Sequence, residues 1–327
     1  VRAKLEAALN RRWYGGIKPG ILLVVLASIY GALIDLRRYL YRRGIFKSTK
    51  MNIPVIVVGN FTVGGTGKTP FTIALIQAMQ SRGWKTGVVS RGYGRKISDP
   101  VSVHRDSFAK DCGDEPLLIF QRTQSAIRVD ADRVRAAEYL LQQGCNLIIA
   151  DDGLQHLRLQ RDLEIELLDD ERKYGNGLII PAGPLREKPR SCDFKVSNGG
   201  LEDDIDTHHY GMQLIYANAE TLDAGAYRDL SEFADDKVYA IAGIGHPERF
   251  FNALKARGLN INPLAFPDHH DYSLADFPVD APVLMTEKDA VKCRQLGLKD
   301  AWCVPVSAAL NEKLFDAIDS RLKALSP

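Results

Sequence analysis

Three stretches of this chain carry side chains that could act together on a phosphate. In "GNFTVGGTGKTP" (59–70), Gly64, Gly65 and Gly67 precede Lys68 and Thr69. Glycines let backbone N–H groups curl around phosphate oxygens. A lysine at this spacing reaches the β and γ phosphates, and the hydroxyl after it suits Mg2+. Thr62, Val63, Gly64, Gly65, Thr66, Gly67, Lys68 and Thr69 are therefore the candidate nucleotide loop. The usual pattern has glycine where Thr62 stands, but that glycine mainly eases the exit from a strand, so threonine is tolerable there. In "LIIADDG" (147–153), Asp151 and Asp152 close an apolar run, and carboxylates on a rigid strand end can hold a hard cation. ATP and Mg2+ are the expected cofactors. Guanine recognition usually needs N-K-x-D, and "TEKD" (286–289) has its lysine one place late. Val63, where a deviant loop would carry lysine, disfavours partitioning ATPases.

A phosphoryl acceptor must also be placed and deprotonated. "CGDEPLLIF" (112–120) offers Asp114 and Glu115, and an Asp before Glu-Pro is equally a helix N-cap or a catalyst. "FPDHHDYS" (266–273) sets His269 and His270 between Asp268 and Asp271. A histidine beside carboxylates acts as a base or orients one, and two adjacent rings do not both face one site. "SRGYGRK" (90–96) with Arg91 and "PAGPLREKPR" (181–190) with Arg186 are Gly- or Pro-framed loops. Their guanidinium groups either grip phosphate or stay in water.

The elements that must position these groups follow from periodicity. "IPVIVVGN" (53–60) reads as a buried strand, and a helix near 69–82 follows the glycine loop. "KTGVVS" (85–90) and "NLIIA" (146–150) are further strands, with a helix near 130–143 between them. Alternating strand and helix implies a parallel sheet covered by helices. Residues 191–217 read as two extended segments around a polar acidic stretch, with a hairpin as one arrangement. Strands at 237–245, 261–266 and 282–286, helices at 247–258 and near 309–325, make a second α/β unit. The expected domains are a helical segment at 1–50, a kinase core at 51–190, a linker with paired strands at 191–236 and a smaller α/β domain at 237–327.

Length and charge add limits. The 327 residues suffice for two cores, and a net charge of +2 gives no reason to expect nucleic acid. That charge is uneven. Eleven Lys/Arg against two acids give +9 for residues 1–50 and leave −7 for the rest. Residues 19–34 are uncharged, and at ~1.5 Å per residue they fall short of a ~30 Å hydrocarbon core. A basic, apolar helix lying on or dipping into an anionic membrane surface is the expectation, with a buried core helix as the alternative. The five cysteines form no C-x-x-C pair, which argues against zinc and for a reducing compartment.

The ordered set "GNFTVGGTGKTP", "SRGYGR", "GDEP", "DDGLQH", "PAGPLRE", "FPDHHDY" and "TEKDAVKC" resembles the tetraacyldisaccharide 4'-kinase family of lipid A biosynthesis. The resemblance implies two α/β/α sandwich domains, the first P-loop NTPase-like, with a β linker and an N-terminal membrane-contacting helix. It implies transfer of the ATP γ-phosphate to the 4'-hydroxyl of a tetraacylated glucosamine disaccharide 1-phosphate, giving lipid IVA. The partners would be that lipid precursor and the cytoplasmic face of a bacterial inner membrane, with no obligate protein partner. It places Lys68 and Thr69 on phosphate and metal, and Asp151 and Asp152 on the metal with help from Glu115. Asp114 becomes the base, paired with His269. Arg91, Tyr93, Gln155, His156 and Arg186 become secondary site residues. Without the resemblance, a membrane-docked regulatory NTPase that works by conformational switching stays open.

Overall fold

The computed structural model describes residues 9–199, 203–223, 225–278 and 280–325. Residues 1–8 of the expected N-terminal segment and 200–202 of the acidic stretch lie outside the described residues. The first long helix, α1 (Ile21–Arg42), covers the uncharged run and continues through the arginines after it. It buries Ala27 and Gly31 and exposes Ile21, Leu22, Val25, Leu26, Ile29 and Leu33. No helix among the described residues is long and apolar enough to cross a membrane.

The core alternates as its periodicity demands. In chain order come β1 (Val55–Gly59), α2 (Lys68–Ser81), β2 (Thr86–Ser90), β3 (Val101–Ser102), the single turn α3 (Ala109–Cys112), α4 (Asp114–Thr123), β4 (Ala126–Val129), α5 (Arg133–Gln142), β5 (Leu147–Asp151) and β6 (Leu163–Asp169). Strands β1, β2, β4, β5 and β6 lie parallel, with β1 between β5 and β6. Side chains of successive strand residues point to opposite faces. Ile56 and Val58 accordingly join Phe71, Leu75, Met79 and Leu117 on one face, while Val55 and Val57 join Val134, Ala137 and Leu140 on the other. This is the expected α/β/α sandwich. The carboxyl ends of β1 and β5 open on one edge, where ligands of such sheets bind.

The second sheet takes β9 (Ala219–Thr221), β10 (Tyr227–Arg228), β11 (Val238–Ala242), β12 (Ile261–Ala265), β13 (Val283–Thr286) and β14 (Ala301–Val304) in the order β10-β9-β14-β13-β11-β12. Helices α6 (Pro247–Ala256) and α7 (Glu287–Cys293) belong to this unit.

The expected boundaries need correction. β7 (Phe194–Asn198) and β8 (His209–Tyr216) are not a hairpin in a linker; they extend the large sheet, β7 parallel to β6 and β8 parallel to β7. Phe194, Val196, Tyr210 and Met212 are fully buried on the face that α2 covers, and no linker would bury them so. β15 (Val306–Leu310) then pairs antiparallel with β8, and α8 (Glu312–Leu325) sets Leu314, Phe315, Ile318 and Leu322 on the same core. The chain end expected in the small domain thus completes the large one. Each of those side chains stabilises the core by roughly 1.5–3 kcal/mol when removed from water.

Candidate active site

The glycine loop leaves β1 through Asn60, whose amide donates to the Thr62 carbonyl at 2.8 Å and whose Oδ1 accepts from Lys68 Nζ at 3.1 Å. Thr62 is buried and forms an antiparallel bridge with Leu185, so its backbone is ordinary extended chain and needs no glycine. Gly67 does need to be glycine: its φ is +88°, and a Cβ would lie 2.6 Å from Asn198 Nδ2, which itself donates to the Thr66 carbonyl. α2 begins at Lys68, so its positive end faces the loop. The small domain closes the other side, where a Cβ on Gly245 would stand 2.5 Å from Gly65 N. Between them lies a cleft of about 460 Å³ lined by residues 63–69 together with Tyr93, Glu115, Asp152, Arg186 and His269.

Most of the expected phosphate-side residues converge. Arg186 Nη1 donates to both Asp152 oxygens, at 2.9 and 2.8 Å, and Lys68 Nζ is 3.5 Å from the same carboxylate. Gln155 Nε2 donates to the Asn60 carbonyl at 3.2 Å and to Glu187 Oε1 at 3.1 Å. Burial pushes the Asp152 pKa up, but Lys68 and Arg186 outweigh it and hold the carboxyl well below its usual range. Asp151, on the end of β5, behaves in the opposite way. It is fully buried, and burial together with Glu115 and Asp152 pushes its pKa up to about 7. Its Oδ1 has no hydrogen-bond partner.

A buried, unsatisfied carboxylate oxygen beside a phosphate loop suits a hard cation. No group of three or more His, Cys, Asp or Glu able to hold a metal occurs among the described residues. Mg2+ does not need one, because it typically takes one or two carboxylates and completes its shell with water and substrate phosphates. Asp151 and the Thr69 hydroxyl fit that donor chemistry. Glu115, expected to assist the metal, lines the cleft close enough to Asp151 to raise its pKa, and its Oε1 accepts from Lys288 Nζ at 3.0 Å.

On the acceptor side, the N-cap of α4 is Gly113, at φ +96°, and Asp114 is the first helical residue. Its side chain is therefore not the cap. Oδ1 accepts from Glu115 N–H at 2.9 Å, and both oxygens lie 3.0 and 2.9 Å from His269 Nδ1. His270 turns away, to Asp276 at 3.3 Å and onto the Phe266 ring. Tyr93 packs against His269 with ring centroids 4.8 Å apart and planes tilted by 53°. Burial raises the Asp114 pKa, but Lys288, His269 and Lys292 prevail and hold it at about 2. Asp114 itself is 4% exposed.

Of the expected residues, Thr62, Arg91, Asp114, Asp151, Gln155 and His156 are not part of the cleft lining. Arg91 is exposed on its loop, and His156 is half-buried with its pKa lowered to about 4 by burial and by Arg133 and Arg161. Sequence reasoning missed Asn60, Glu187 and Lys288. All three stand inside or beside motifs already singled out, but a lysine on a helix ordinarily reads as solvated, so spacing carried no signal.

Known proteins supply the remaining comparison. A family model, LpxK, described as Tetraacyldisaccharide-1-P 4'-kinase, matches residues 20–323. The tetraacyldisaccharide 4'-kinase of Xanthomonas euvesicatoria pv. vesicatoria (strain 85-10) is 46% identical over 329 residues, covering 96% of this chain and 95% of its own. That of Stenotrophomonas maltophilia (strain R551-3) is 47% identical over 327 residues, covering 96% of each. A crystal structure of LpxK from Aquifex aeolicus in complex with ATP superposes with a TM-score of 0.76 at 28% identity, covering 91% of this chain and 97% of that one.

Proposed function

This chain belongs to the tetraacyldisaccharide 4'-kinases, ATP-dependent phosphotransferases of lipid A biosynthesis, and on that premise we propose how its own residues carry the transfer. The observation that carries the reading is the Asp114–His269 pair, whose histidine lines the same cleft as the Lys68 loop with Asp114 buried directly behind it. The loop N–H groups and Lys68 hold the ATP phosphates. Mg2+, held by Thr69 and Asp151, would neutralise charge on them. Phosphoryl transfer needs positioning and charge neutralisation more than covalent help. Asp114 takes the proton of the 4'-hydroxyl, and His269 orients its carboxylate. A second reading exchanges the roles: His269 lines the cleft while Asp114 is behind it, so His269 is the group nearer an acceptor.

The exposed apolar face of α1, with Arg37, Arg42 and Arg43 beyond it, supports docking on the cytoplasmic face of the inner membrane, where the acceptor lipid is presented. The test is γ-labelled ATP with the disaccharide lipid, using wild type beside Asp114→Ala and His269→Ala. Wild type should label the lipid, and Asp114→Ala should lose at least about 100-fold. ATP turnover without acceptor and without labelled lipid would favour a regulatory NTPase. Full transfer by Asp114→Ala with a slow His269→Ala would favour the second reading.

A further inference from the structure

Helix α7, the "TEKDAVKC" segment, packs four charged side chains into seven residues, and all four are turned inward. Each has a fixed partner. Asp289 ties the helix to its own domain, accepting from Gly243 N–H at 2.8 Å and from the Thr286 hydroxyl at 2.6 Å. Glu287 reaches the large domain and accepts from Arg122 Nη1 at 2.7 and 2.9 Å, at the far end of α4. Lys292 lies 3.0 Å from Asp289 and 3.9 Å from Asp114.

Lys288 is distinct. Its side chain is 13% exposed, and Nζ donates at 3.0 Å both to Glu115 Oε1 and to Asp268 Oδ1. Glu115 is the residue after Asp114, on α4 of the large domain. Asp268 is the residue before His269, in the small-domain loop, and its Oδ1 also accepts from His269 N–H at 3.1 Å. A compact ammonium with three donors can join two carboxylates that arrive from different chain segments.

We propose that Lys288 is a positioning residue for the transfer, drawing Glu115 and Asp268 together and so seating His269 against Asp114. This rests on the reading of Asp114 and His269 as the proton-handling pair. Lys288 lines the same cleft as the glycine loop, and its action is through that pair rather than on the nucleotide.

Lys288→Met keeps the stem and removes the ammonium. It should lower kcat about 100-fold, the scale of an ångström of misplacement, with the KM for ATP within about twofold. Lys288→Arg should recover part of the loss. In a His269→Ala background the same Met substitution should cost no more than about twofold, because the contact it served is already gone. Circular dichroism and thermal unfolding check the fold. If Lys288→Met does not fold, Asp268→Asn cuts the other arm and should give the same kcat-only loss. Unimpaired turnover, a raised ATP KM at constant kcat, or a full additive loss on top of His269→Ala would each overturn the inference while leaving the pair intact. A His269→Ala enzyme with wild-type turnover would overturn the pair and this inference with it.

Discussion

At the scale of single residues, the two adjacent aspartates at the end of β5 have opposite fates. Asp152 is neutralised by Lys68 and Arg186, whereas Asp151 is buried with an oxygen unsatisfied. The pH consequence follows from the sign of the Asp151 shift. The unfolded chain releases this proton near 3.9 and the folded protein near 7. Its contribution to stability is therefore present below the unfolded value and lost as pH rises through 7. Asp151→Asn should stabilise the nucleotide- and metal-free protein at pH 8 by on the order of 2 kcal/mol, while abolishing most transfer. Thermal unfolding in chelator, wild type against variant across pH 5–8, reads this directly, and parallel curves would count against it. The sequence placed both aspartates at a strand end beside a phosphate loop, and the family resemblance paired "GDEP" with "DHH". It could not tell which aspartate meets Lys68 and Arg186 and which keeps an unsatisfied oxygen, nor that Gly113 rather than Asp114 stands at the N-cap position. The first depends on Lys68 and Arg186 arriving from other segments, the second on the positive-φ turn that Gly113 makes where the helix begins.

At the scale of elements, α1 has two faces with different tasks. Its inner face is seated by Gly31 against Ile179 and by Arg38, which donates to Glu187 Oε2 at 3.0 Å. Glu187 is 3% exposed and also accepts from Gln155, so the helix is tied to the loop that carries Arg186. Its outer face presents a row of apolar side chains to solvent. Ile29→Ser with Leu33→Ser should reduce binding to anionic phospholipid vesicles by about tenfold or more, since each side chain contributes roughly 1.5–3 kcal/mol when fully buried. The thermal midpoint should hardly move, because neither side chain packs on the protein. Cosedimentation measures the first and calorimetry the second; unchanged binding would argue for a different covering of this face. The uncharged run at 19–34 was legible as an apolar helix. Its continuation to Arg42 was not, because charge at exposed helical positions costs little and periodicity alone cannot say which side is inside.

At the scale of the whole molecule, the chain leaves the large domain after β8, builds the small one, and returns with β15 and α8 to finish the first core. The large domain is therefore discontinuous, and its stability depends on β15 and α8, residues 306–325. Ile318→Ala should cost about 2–5 kcal/mol of unfolding free energy, because Ile318 is fully buried against the sheet that carries the glycine loop. If bound nucleotide fails to raise the thermal midpoint of this variant, the loss has reached the loop domain; a loss confined to the small domain would contradict the topology. What the sequence by itself determined is local: the strand–loop–helix order, the glycines and lysine of the loop, the apolar face of each helix, and the family those motifs mark. Such features are written within a few residues by sterics, propensity and period. What only the tertiary structure decided is partnership across distance: which sheet α8 covers, which histidine meets Asp114, and which carboxylates Lys288 joins. An amphipathic face records only that burial is required. Its address is settled by the packing of the whole chain, where many weak contacts select one arrangement among many that the same local pattern allows.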